Sequence, residues 1–238
     1  MFRYASMNMT EHKCAQYAKV MKLAEVPYNR IWLSDAAQEK AREMVPNGAP
    51  ILALCPTSGW SLKNWPLDSF VGLALRLPFQ RVAILCAAHE REQVMPMFAA
   101  LQDKKEVIDL SQTDPLEAAA CLARCSVCVA NDSGLMHISA AVGTPTVGIF
   151  GPTNEVIYAP HGAHTAIVRG ASYSFPRSNR WKGLFRLLRA LGYRPRTKNA
   201  PDPSRAMQAV SVDSVVDAAK KLMERQKDTA SAASAALS

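Results

Sequence analysis

The chain has 238 residues, 49% hydrophobic and 20% charged, a length and balance that hold one good core with material to spare and exclude an intrinsically disordered protein. Lys and Arg total 28 against 20 Asp and Glu, a formal net charge of +8, which favours anionic partners, whether phosphates, nucleic acid or an acidic membrane surface. No run of about eighteen apolar residues occurs, and the first ten residues lack a hydrophobic signal core, so the expected protein is cytoplasmic and does not span a bilayer.

The first predicted element is a helix over residues 10–24, with Cys14, Tyr17, Met21 and Ala24 at helical spacing. A second helix is expected to start after Ser34, placed to cap residues 35–44. Two helices with no strand between them make a lead-in, residues 1–48, rather than a domain. From residue 49 the pattern changes. Short unbroken apolar runs at 51–55, 82–87, 107–110, 127–130 and 146–150 alternate with helix-like stretches at 67–77, 90–101, 115–124 and 135–142. Strands buried on both faces read as continuous apolar runs, so residues 49–170 predict a Rossmann-like α/β domain: a parallel sheet of five strands with helices on both faces.

Beyond residue 170 the composition shifts. Residues 169–205 carry ten Lys or Arg and one acid, Asp202. Within this basic segment, 171–205, Trp181, Leu184, Phe185, Leu188 and Leu191 would line one face of an amphipathic helix, suited either to an anionic leaflet or to packing on the sheet. Residues 206–238 are expected to hold a closing helix over 212–225, with Asp213 near its start and Lys220 and Lys221 towards its end, and then a disordered Ala/Ser tail from Thr229. Nucleic-acid binding is not expected, because the basic residues are confined to one segment without a recognisable motif.

Six cysteines are present, mostly inside apolar runs, as reduced core thiols are. Cys125 and Cys128 form a CxxC with Cys121 a turn earlier, but no further nearby ligand completes a zinc site, so no metal is expected there.

In an open parallel sheet, ligands bind beyond the carboxyl ends of the strands. The loop after the first run, Cys55 to Pro66, carries Thr57, Ser58, Gly59, Ser61 and Lys63 ahead of a helix. Hydroxyls, free N–H groups and an ammonium suit a phosphate or diphosphate, though a solvated loop with a surface lysine has the same composition. Glu90 follows the second run, where a carboxylate could accept from a ribose or simply favour a helix start. After the fourth run stands Asn131-Asp132-Ser133-Gly134-Leu135-Met136-His137. Asp132 or Ser133 would cap the next helix, Gly134 lets a ligand approach its positive end, and His137 lies one turn in. Gly151-Pro152-Thr153 closes the next strand beside it.

In combination these motifs resemble glycosyltransferase family 9, the ADP-heptose:lipopolysaccharide heptosyltransferases. The likeness is carried by Lys63-Asn64-Trp65-Pro66 with Phe70, by Glu90, by Asn131 to Ala141, by Gly143-Thr144-Pro145 and by Phe150-Gly151-Pro152-Thr153, and it runs from about residue 12 to 170. His12, Tyr17 and Leu23 resemble the segment where the first domain of that family hands over to its second. The resemblance implies the C-terminal, donor-binding half of a GT-B architecture and inverting, metal-independent transfer of heptose from a nucleotide-diphosphate donor, ADP-heptose, to a lipopolysaccharide-core or lipid-linked acceptor. It assigns Thr57, Ser58 and Lys63 to the donor diphosphate, Glu90 to the nucleoside, and Asp132, Ser133, Gly134 and His137 to the ribose, diphosphate or sugar. It implies no cofactor, and a location at the inner face of the inner membrane.

Two departures qualify the resemblance. The family's catalytic base is an Asp in a Gly-rich loop of the first domain, and here the first strong strand begins at Ile51. No base is therefore nominated, and a catalytically silent nucleotide-sugar-binding module remains the alternative. Many relatives also carry cysteines shortly after the position of Arg169, where this chain reads Tyr173-Ser174-Phe175-Pro176-Arg177.

Overall fold

A computed structural model of the protein describes residues 10–170 and 203–235. The proposed amphipathic helix at 181–191 lies outside the described residues. The lead-in forms α1 (Lys13–Val20) and α2 (Asp35–Met44). Helix α1 is shorter than its periodicity predicts. His12 caps its start, its imidazole accepting from the Cys14 N–H, and at its end Lys22 takes a left-handed φ of 56°. The Leu23 N–H then returns to the Ala18 carbonyl at 2.9 Å, closing the helix as a glycine usually would. A lysine in that role leaves no punctuation in the sequence. Helix α2 starts as expected, with Ser34 Oγ accepting from the Ala37 N–H at 3.2 Å.

The strands are β1 (Ile51–Cys55), β2 (Arg81–Ile84), β3 (Glu106–Asp109), β4 (Val127–Asn131), β5 (Thr146–Phe150) and β6 (Thr165–Arg169). All pair in parallel, in the order β3-β2-β1-β4-β5-β6. Among the described residues, the expected five strands are thus six. The added strand is an edge strand whose Ile167 is exposed, and an outer strand buried on one side needs no continuous apolar run. Intervening helices are α3 (Leu67–Arg76), α4 (Arg91–Leu101), α5 (Pro115–Leu122), α6 (Gly134–Ala141) and a short α7 (Glu155–Tyr158). The last elements of the described residues are α8 (Pro203–Gln208) and α9 (Val212–Ala235). Helix α9 runs well into the Ala/Ser tail expected to be disordered. Alanine has the highest helix propensity of any residue, and here it extends a helix already nucleated by packing.

The period-two pattern of β1 separates two cores. Leu52 and Leu54 face Phe70, Leu73 and Leu77 of α3, Val94, Met97 and Leu101 of α4, and Val215, Ala219 and Leu222 of α9. Ile51, Ala53 and Cys55 face the other way, onto Ala37 and Ala41 of α2, Ala118, Cys121 and Leu122 of α5, and Met136 of α6. The first side is bulky and branched, the second rich in Ala and Cys. Cys55, Cys86, Cys121, Cys125 and Cys128 are buried free thiols, which bears out their reading as core residues; Cys14 is half-buried in α1.

Candidate functional site

Strand order reverses between β1 and β4, since β2 and β3 lie to one side and β4, β5 and β6 to the other. At such a switch point the loops leaving the carboxyl ends of neighbouring strands diverge and open a crevice. The loops after β1, β2 and β4, with the first turn of α6, carry the residues that the sequence nominated for the donor.

The loop after β1 is drawn onto the sheet by Asn131, the last residue of β4 and fully buried. Its Nδ2 donates to the Pro56 carbonyl at 2.6 Å and its Oδ1 accepts from the Trp65 N–H at 3.0 Å, so one amide ties both ends of the loop. Trp65 is buried, packs edge-on against Phe70 with centroids 5.0 Å apart, and donates its indole N–H to the Val210 carbonyl at 2.9 Å. Inside the loop, the Ser58 hydroxyl is shared between the Trp60 carbonyl and Asn64 Oδ1, at 2.9 and 2.7 Å.

Two groups result. In the first, the Thr57 hydroxyl donates to Glu90 Oε2 at 2.7 Å, and the same oxygen accepts from the Ala87 N–H at 3.3 Å. Both residues are buried. Glu90 ends a 3-10 turn, Ala88–Glu90, and precedes α4, so it closes the β2 loop over the β1 loop. In the second, a 3-10 turn, Ser61–Lys63, delivers Lys63 to the start of α6. Its Nζ donates to the Asp132 carbonyl at 2.6 Å and lies 3.3 Å from Asp132 Oδ2. The two side chains are only 18% and 8% exposed, so this ion pair is shielded from the solvent that weakens surface pairs.

Ser133 occupies the N-cap position of α6, but neither it nor Asp132 caps the helix through its side chain. The buried Ser133 Oγ has no hydrogen-bond partner among the described residues, nor has the Thr153 Oγ1 beyond β5. Open space lies beside Gly134, where a Cβ would meet nothing within 4 Å. His137 follows within the first turn. Burial pushes its imidazole below the usual value; the Asp132 charge opposes this, and His12 and Lys63 add to it. The mouth of α6 therefore combines free helix N–H groups, one ammonium, an unsatisfied hydroxyl and an imidazole held neutral at neutral pH.

The loops that the sequence nominates meet at this crevice, held there by residues that the sequence does not single out. Asn131 and Asn64 carried a signal, a polar amide at the end of an apolar strand and another before Trp65-Pro66, which was read only as part of a motif. A separate groove of about 460 Å³ between β6 and α9, lined in part by Arg169, Asp217, Lys221 and Arg225, lies at the sheet edge, away from these residues.

Residues 4–183 match the family model of glycosyltransferase family 9 (heptosyltransferase). The lipooligosaccharide heptosyltransferase 2 of Haemophilus ducreyi is 30% identical over 155 residues, which are 60% of this chain and 44% of that protein. The lipopolysaccharide heptosyltransferase 2 of Escherichia coli (strain K12) is 29% identical over 126 residues, 50% of this chain and 36% of that one. The chain spans less than half the length of these curated relatives. Among solved structures, a glycosyl transferase family 9 protein from Veillonella parvula DSM 2008 superposes with a TM-score of 0.72 at 21% identity, over 94% of this chain and 64% of that chain. The E. coli ADP-heptose lps heptosyltransferase II gives 0.66 at 19% identity, over 86% and 56%. These likenesses establish a shared fold.

Proposed function

The chain belongs to glycosyltransferase family 9, and from that premise we propose that it is the nucleotide-sugar-binding part of a heptosyltransferase, taking ADP-heptose as donor and serving a lipopolysaccharide-core acceptor. The observation that carries this reading is the shielded Lys63–Asp132 pair at the N-terminus of α6, beside the unpartnered Ser133 hydroxyl. A diphosphate seated there meets an ammonium, helix N–H groups and a free hydroxyl donor, which together favour a dianionic leaving group. Neighbouring strands lie about 4.8 Å apart, so the ends of β2 and β4 are separated by about 10 Å, a span that a nucleoside diphosphate bridges. In this pose Thr57 and Ser58 shape the diphosphate loop and Glu90 lies towards the nucleoside. Gly134 admits the phosphates closely, and neutral His137 donates to a diphosphate or sugar oxygen.

Inverting transfer needs two things, stabilisation of the departing diphosphate and removal of the acceptor proton. Lys63 and the α6 dipole supply the first without a divalent cation. Asp132 is a poor candidate for the second, because its carboxylate already faces Lys63. That observation favours the second reading, a donor-binding module that is silent by itself, with the base supplied from elsewhere. An acceptor anchored in the membrane would place the reaction at the inner face of the inner membrane. No helix among the described residues is long and apolar enough to cross one.

Isothermal titration of the chain with ADP, UDP and ADP-heptose tests the donor reading. Micromolar binding of ADP in preference to UDP is expected, and absence of binding by every nucleotide would overturn it. A transfer assay with lipopolysaccharide core then separates an enzyme from a silent module.

A further inference from the structure

Three metal-ligating side chains that donor binding does not use converge where the lead-in docks on the domain. His12 and Cys14 lie at the start of α1, and His161 lies in the turn between α7 and β6. One ring nitrogen from each histidine and the Cys14 Sγ all fall within 4.8 Å of one another. The imidazoles stack with centroids 5.1 Å apart and planes inclined by 30°.

Both rings are held by the same device. His12 Nε2 donates to the Ala159 carbonyl at 2.9 Å, and His161 Nε2 donates to the Pro27 carbonyl at 3.1 Å. A carbonyl oxygen only accepts, so each neutral ring carries its proton on Nε2 and keeps its lone pair on Nδ1. Ligating histidines in metal sites are oriented in this way, by donating the other N–H to a backbone carbonyl or carboxylate. His12 Nδ1 accepts the Cys14 N–H at 3.1 Å, a capping bond that a cation would replace. Asn29 Oδ1, 3.7 Å from Cys14 Sγ, brings an oxygen to the same cluster.

We propose that His12, Cys14 and His161 bind a borderline divalent cation of the Zn²⁺ type through two imidazole nitrogens and a thiolate, with Asn29 Oδ1 or water in the fourth position. Two nitrogens and one sulfur select zinc-like ions over Mg²⁺ and Ca²⁺, which prefer oxygen ligands. Binding forms the metal–sulfur bond and releases the Cys14 thiol proton to solvent.

The site has mechanical consequences. Of the residues of α1 only Ala18 is buried, while Tyr17, Val20 and Met21 on the same segment are exposed. A segment with so little apolar burial gains much from one cross-link to the loop 159–162. Small structures commonly supplement a thin core with a metal.

The test uses the full chain, stripped with chelator and titrated with Co²⁺. One equivalent is expected to give a thiolate-to-cobalt charge-transfer absorption, displaced by Zn²⁺. Cys14→Ser should abolish that absorption, and His161→Ala should weaken Co²⁺ binding at least about tenfold, a typical cost of disturbing a metal site. Cys125→Ser should leave it intact. Zn²⁺ should also raise the melting temperature of the parent chain and not that of His161→Ala. No thiolate absorption from a chain folded by circular dichroism would overturn the proposal. So would an absorption that survives Cys14→Ser and vanishes in Cys125→Ser, because the CxxC would then be the ligand.

Discussion

At the scale of single residues, the candidate site is governed by how Lys63 and His137 are held. Lys63 is tethered by a carbonyl and a carboxylate, which pre-positions its charge at the mouth of α6 before any ligand arrives. Removing it as Lys63→Ala should weaken ADP binding by roughly tenfold to a hundredfold, the worth of about 1.5–3 kcal/mol for a charged hydrogen bond. Titration calorimetry measures this loss, and unchanged affinity in a folded variant would remove Lys63 from the diphosphate. His137 tests the electrostatics. Burial depresses its pKa and the Asp132 charge works upward, so Asp132→Asn should depress it further. A histidine with a lowered pKa resists protonation in the folded state. The unfolded chain then takes up protons first, and stability falls as pH drops through the ordinary histidine range of about 6.5. NMR titration of the ring reads both effects, and an upward shift in Asp132→Asn would contradict the assignment.

At the scale of elements, the loop after β1 and the C-terminal helices depend on contacts made across the sheet. Asn131→Ala deletes both bonds from β4 to that loop and strands the buried Trp65 N–H and Pro56 carbonyl. Each orphaned group costs about 1–3 kcal/mol, so chemical denaturation should show a loss in that range, with weaker ADP binding because the loop loses its anchor. Gly170, just after β6, faces α8: a Cβ there would sit 2.4 Å from the Ala206 carbonyl oxygen and 3.1 Å from the Ala209 Cβ. Backbone cannot rotate aside as a side chain can, so Gly170→Ala should cost roughly 1–3 kcal/mol by displacing α8. A melting temperature equal to that of the parent would show that α8 docks otherwise.

For the whole molecule, the two faces of the sheet differ in volume, and four of the five buried cysteines belong to the fine-grained one, with Cys86 on the bulky side. Burial pushes Cys86 and Cys121 up to about 11, leaving on the order of one thiolate per thousand at pH 8. Cys55 and Cys125 are raised as well, Cys55 chiefly by its contact with Cys128 and Cys125 by burial. Pulse alkylation of the native chain should therefore modify Cys14 first and the five buried thiols together, at the rate of global unfolding. Early labelling of Cys125 would instead reveal local opening of the α5–β4 turn. Added Zn²⁺ should slow the Cys14 reaction if the cation site forms.

The sequence by itself determined the alternation of elements, the covering of the sheet by helices and the polar loops that leave the carboxyl ends of β1, β2 and β4. Strand runs such as Ile51–Cys55 and the Ser34 cap are local patterns, set by period and by side-chain reach within a few residues. The Asp132 to His137 stretch was legible for the same reason, since a strand, a polar turn and a helix start are contiguous there. Edge strand β6, the Lys22 turn and the helical tail escaped, because a half-exposed strand, a left-handed lysine and an alanine-rich end carry weak local signals. Only the tertiary structure decided the rest. The Lys63–Asp132 tether, the clasp of Asn131 on the β1 loop and the meeting of His12 and Cys14 with His161 each join residues separated by 66 or more positions. Such meetings follow from how parallel strands stack in the order β2-β1-β4-β5, which no local pattern of side chains encodes.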